Sequence, residues 1–134
     1  MSSILIQKLH ESIHYGSIIT NNRVRVIIEY VREFDNPIHI TEGNEIEIIQ
    51  RNEGRYKEWY WCKSKEGTLA FVPESYLQVS GNAGLLKEDY DSTELTVFKG
   101  QILFLQEETG GWTWCRTEDG EYGWVPNENI EPVD

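Results

Sequence analysis

The 134-residue chain carries 23 acidic against 12 basic side chains, a net charge of −11 that repels phosphate backbones and argues against nucleic acid as a partner. Two cysteines and no visible secretory segment point to a reducing, cytoplasmic setting, and apolar runs such as Ile102–Leu105 are far too short to cross a membrane. Five Trp, seven Tyr and four Phe supply ring surface of about 150–250 Å² apiece when buried, enough to core small domains.

The first 22 residues form an extension. Ile6, Leu9 and Ile13 are spaced three and four apart before Gly16, which predicts a short amphipathic helix over residues 3–15. Within it, His10-Glu11-Ser12-Ile13-His14 matches the His-Glu-x-x-His pattern of zinc hydrolases. A catalytic zinc needs a third protein ligand in a protected cleft, and the remaining histidine, His39, sits in a predicted strand. The match reads as coincidence, so no metal, no cofactor and no enzymatic activity are expected.

From Arg23 the period changes to two. Val24, Val26 and Ile28 alternate with charged or exposed positions, as do Ile38 with Ile40 and Ile46 with Ile48, the mark of strands with one buried face. Trp59–Gly67 then returns as Trp112–Gly120, and Ala70–Pro73 as Gly123–Pro126, at a constant offset of 53. A fixed offset means two copies of one supersecondary unit. The chain is therefore predicted to be all-β, two tandem small antiparallel barrels at residues 23–79 and 84–134, with Ser80–Ala83 as a linker too short to hold them far apart.

Each copy orders its motifs alike: Val26-Ile27-Ile28-Glu29-Tyr30 or Leu86-Lys87-Glu88-Asp89-Tyr90, an acidic loop, a tryptophan strand, then Ala70-Phe71-Val72-Pro73 or Gly123-Trp124-Val125-Pro126. This order resembles the Src-homology-3 (SH3) domain. The resemblance implies a binding module for proline-rich or basic extended peptides. A polyproline II ligand lays its rings between aromatic ridges and leaves its carbonyls free for an indole N–H. By resemblance, Tyr30, Trp59, Pro73 and Tyr76 form a first groove with Glu33 and Asp35 at its acidic end. Tyr90, Trp112 and Pro126 form a second, with Asp91 and Glu94 nearby.

Ile28 and Glu88 stand where the family strand has its first tyrosine, and Asn129 replaces the closing tyrosine of the second copy, whereas the first keeps Tyr76. The first groove is accordingly the expected binder. Cys62 and Cys115 fill a small core slot of the family pattern and are assigned no reactivity. The alternative is a structural or assembly protein whose aromatic faces, Trp61, Trp114, Phe71 and Trp124 among them, are buried against each other or a partner. Exposure of Trp59 and Trp112 discriminates between the two. The oligomeric state and the identity of the partner are left open.

Overall fold

The computed structural model describes residues 22–52 and 58–133. The predicted helix and its two histidines fall outside them. The described chain is all-β, with 3-10 turns at Glu74–Tyr76 and Asn127–Asn129, and contains no helix long and apolar enough to cross a membrane.

Two five-stranded antiparallel sheets form. The strands in chain order are β1 (Arg23–Val26), β2 (His39–Ile40), β3 (Glu45–Arg51), β4 (Trp59–Lys63), β5 (Leu69–Pro73) and β6 (Leu77–Ser80). The second half adds β7 (Ala83–Leu86), β8 (Tyr90–Asp91), β9 (Ile102–Thr109), β10 (Trp112–Thr117), β11 (Tyr122–Pro126) and β12 (Ile130–Pro132). One sheet runs β5-β4-β3-β7-β6, the other β11-β10-β9-β1-β12, and β2 pairs with β8.

The pairing crosses the repeat. The opening strand of the first copy, β1, lies between β9 and β12 of the second, with Val24 opposite Leu103 and Pro132. The opening strand of the second copy, β7, lies between β3 and β6 of the first, with Gly84 opposite Ile46 and Val79. The chain accordingly divides into unit 1, Phe34–Thr93, and unit 2, which joins the segment ending at Glu33 to that starting at Glu94. This differs from the division at 79 and 84 that the repeat predicts. Ser80–Ala83, expected as a linker, closes the β6–β7 hairpin, with Ser80 opposite Ala83.

Side-chain volume explains the exchange. Val24 and Gly84 occupy equivalent positions, as do Val26 and Leu86. In unit 2, Val24 and Val26 are buried with Leu95, Val97, Leu103, Cys115 and Val125. In unit 1, a Cβ on Gly84 would stand 3.1 Å from a Leu77 methyl and 3.4 Å from Ile48, so a valine does not fit there unless its neighbours move. Conversely, Gly84 in the place of Val24 would leave a void in the unit 2 core. The two opening strands are alike in pattern and unlike in size.

Alternation placed Ile28 on a buried face. In the structure β1 ends at Val26, and the Ile27 and Ile28 N–H groups both turn to the Asn129 carbonyl (2.8 and 3.3 Å), leaving Ile28 56% exposed. Cys62 and Cys115 are fully buried, and burial pushes both thiols up to about 12, in keeping with inert core positions.

Two predictions test the exchange. Gly84→Val overpacks unit 1 and is expected to cost about 1–3 kcal/mol in a urea melt; an unchanged midpoint would argue against β7 lying between β3 and β6. A fragment of residues 34–93 holds every strand of unit 1 and is expected to unfold cooperatively, whereas residues 23–79 lack β7 and are expected not to. Circular dichroism melts of both fragments check this, and the reverse result would restore the division at residue 79.

Candidate functional site

The exchange regroups the predicted site residues. Unit 1 brings together Trp59, Pro73, Tyr76 and Tyr90, and unit 2 brings together Tyr30, Glu33, Glu94, Trp112 and Pro126. Tyr30 thus falls in a different unit from the Trp59 group, and Tyr90 in a different unit from the Trp112 group. Glu33 and Asp35, expected at one acidic end, fall in different units.

In unit 1 the rings face inward. Trp59 pairs with Pro73 across β4–β5 and is 4% exposed. Tyr76 and Tyr90 meet edge to face at 5.1 Å, and Tyr90 donates its hydroxyl to the Phe71 carbonyl at 2.8 Å. Both tyrosines are buried. Asp91 accepts from the Thr93 N–H and hydroxyl (2.8 and 2.6 Å) and faces His39 Nδ1 at 3.4 Å, while Asp35 is exposed.

In unit 2 the corresponding rings are half-buried. Trp112 follows the tight β9–β10 turn, where Gly110 and Gly111 take φ of 57° and 86°, a left-handed pair that side chains disfavour and two-residue hairpins require. Opposite Pro126, it meets Tyr30 edge to face at 5.7 Å. Tyr30 is positioned by its reciprocal backbone bridge to Val97 (3.0 and 2.8 Å), and donates its hydroxyl to Glu94 Oε1 at 2.8 Å. The same oxygen accepts the Glu33 N–H at 2.9 Å.

Burial pushes the Glu94 carboxyl above the ordinary glutamate range. The Glu33 N–H and the Tyr30 hydroxyl oppose that rise, and the nearby Glu33 charge adds to it. An exposed Glu33 and a half-buried Glu94 therefore place two carboxyl groups beside one aromatic pair.

Asn129 explains its own departure from the family pattern. It is buried, and its side-chain amide donates to the Ile28 and Glu29 carbonyls at 3.0 and 3.1 Å. Where a ring would line the groove, an amide pins the segment that carries Tyr30. Sequence reasoning recorded the lost ring; the gained tether needed the pairing of β1 with β12, about a hundred residues apart.

The second tryptophans pack locally. Trp61 meets Phe71 at 4.7 Å and Phe34 at 5.8 Å, and Trp114 meets Trp124 at 5.2 Å and Tyr122 at 6.2 Å. Among the described residues no cluster of three or more His, Cys, Asp or Glu is arranged to hold a metal. A polar hollow of about 180 Å³ in unit 1, lined by His39, Thr41, Asn44, Ser64, Lys65 and Glu66 among others, contains none of the aromatic site residues.

Residues 86–133 match the family model described as variant SH3 domain. No curated protein matches the chain. The matched segment supports an SH3-like fold for the second copy; residues 86–93 of it lie in unit 1 and the remainder in unit 2.

A carboxyl raised in the folded state holds its proton more tightly there than in the unfolded chain, so native stability falls as pH rises through its folded value. Glu94→Gln keeps an acceptor for Tyr30 and removes that loss. The variant is expected to melt above the wild type at about pH 7, with the difference shrinking once pH drops below the ordinary glutamate value of 4.5. A wild type that melts higher than the variant at neutral pH would contradict the assignment.

Proposed function

We propose that the protein is a non-enzymatic protein-interaction module and that unit 2 docks an extended, proline-containing basic peptide on Tyr30 and Trp112, with Pro126, itself buried, opposite Trp112 across β10–β11. The observation that carries this is the half-buried Tyr30–Trp112 edge-to-face pair with Glu94 bonded to the Tyr30 hydroxyl and Glu33 beside it. An aromatic pair offers a face for a pyrrolidine ring, and adjacent carboxylates offer a site for a guanidinium or ammonium group. The net charge of −11 favours encounter with a basic ligand.

This choice reverses the preference that the sequence motivates. Trp59 is 4% exposed and Tyr76 and Tyr90 are equally enclosed, so the unit 1 rings serve packing. That supports a structural role for unit 1, which is the assembly reading confined to half the molecule.

Affinity in such sites is modest, on the order of micromolar or about −8 kcal/mol. Titration of the ¹⁵N-labelled full chain with an Arg-flanked proline-rich peptide is expected to shift the Trp112 indole N–H saturably and leave that of Trp59 in place. Trp112→Ala is expected to weaken binding at least tenfold, as loss of an aromatic anchor does. No indole shift at millimolar peptide would sink the docking reading.

A further inference from the structure

We propose that the unit 2 site reads a single turn of its ligand, one ring and one cation within about three residues of each other, and that a second proline one turn further along contributes nothing. This rests on the docking reading above and specifies the motif it recognises.

The site is ordered along the segment from Ile28 to Glu33. At one end Glu94 Oε1 accepts both the Glu33 N–H (2.9 Å) and the Tyr30 hydroxyl (2.8 Å), and the Glu33 side chain is exposed. In the middle stands the Tyr30–Trp112 pair at 5.7 Å. At the other end Asn129 donates to the Ile28 and Glu29 carbonyls (3.0 and 3.1 Å), and the adjoining side chain is Ile28, 56% exposed.

A polyproline II helix repeats every three residues, about 9 Å. A valley between two ridges holds one ring, and a second ring one turn away needs a further ridge. Beyond Tyr30, away from the carboxylates, the positions that would supply that ridge hold Ile28 and Asn129, and the Asn129 amide is committed to backbone carbonyls. The Tyr30 hydroxyl touches Glu94 directly, which puts the cation site within one turn of the ring valley. Charge complementarity fixes the occupant as a basic peptide rather than a neutral proline tract.

The probe is a synthetic peptide with two prolines three residues apart and an arginine three residues beyond the second, titrated into the full chain while the Trp112 indole is followed. Replacing the proline distant from the arginine by alanine is expected to change Kd less than threefold. Replacing the near proline is expected to weaken binding at least fivefold, and replacing the arginine at least tenfold. Ile28→Tyr, at an exposed position, adds the missing ridge and is expected to make the distant proline matter by threefold or more. If the parent peptide binds and losing the distant proline weakens it beyond threefold in the wild type, the single-turn inference is overturned and docking stands. If the parent peptide moves no indole, both fall.

Discussion

A strand in the middle of a sheet must satisfy both its edges, and the molecule depends on which strand fills each middle place. In unit 2 that strand is β1, held by β9 on one side and β12 on the other, with further bonds from the Val26 N–H to Gln101 (2.9 Å) and from the Gly100 N–H to Val26 (2.7 Å). In unit 1 it is β7, continued by reciprocal bonds that place the Leu86 carbonyl on the Gly43 N–H and the Leu86 N–H on Asn44, each 2.9 Å. Hydrogen bonding alone does not choose between the two strands, because any backbone makes the same ladder. Packing does. Leu77 and Ile48 occupy the space that a side chain on Gly84 would enter, and Val24 fills the matching space in the other unit. In an interior packed at near-crystalline density, the isopropyl group that separates valine from glycine favours this partition.

Every later feature of the site follows from that partition. The segment after β1 carries Tyr30 and Glu33, so docking β1 in unit 2 delivers both to Trp112 and Glu94. The segment after β7 carries Tyr90, and docking β7 in unit 1 seats that ring against Tyr76. The hydroxyls show how differently the two copies use the same residue. That of Tyr90 is spent on the Phe71 backbone carbonyl within an enclosed group, and that of Tyr30 on the carboxyl of Glu94, beside the exposed Glu33.

Much of the fold was legible in the sequence. The offset of 53 announced duplication, and period-two alternation located the inward face of β3, where Ile46 is buried and Ile48 partly so. The exchange was hidden because a repeat reports which segments are equivalent and says nothing about which pair. Two signs were available. Gly84 breaks the aliphatic pattern that Val24 keeps, and the Ser80–Ala83 stretch carries the Gly-Asn chemistry of a tight hairpin as well as that of a linker. The site residues were individually legible from motif order. Their grouping and the burial of Trp59 were not, because both depend on the strand partition and on inward packing that alternation along one strand does not report.

Asn129 shows why the weaker-looking copy is the better candidate. Counting rings favours the copy that keeps Tyr76 and penalises the one that ends in asparagine. But a ring helps a ligand only if it faces outward, and Tyr76 is buried, edge to face with Tyr90. Asn129 adds no contact surface, yet its side chain and carbonyl together make four hydrogen bonds to residues 27–29, immediately before Tyr30. For the docking proposed here, a segment already held in place would lower the ordering cost of binding, which for a small interface weighs as heavily as an added contact. The substitution that removes one aromatic ridge thereby steadies the ridge that remains.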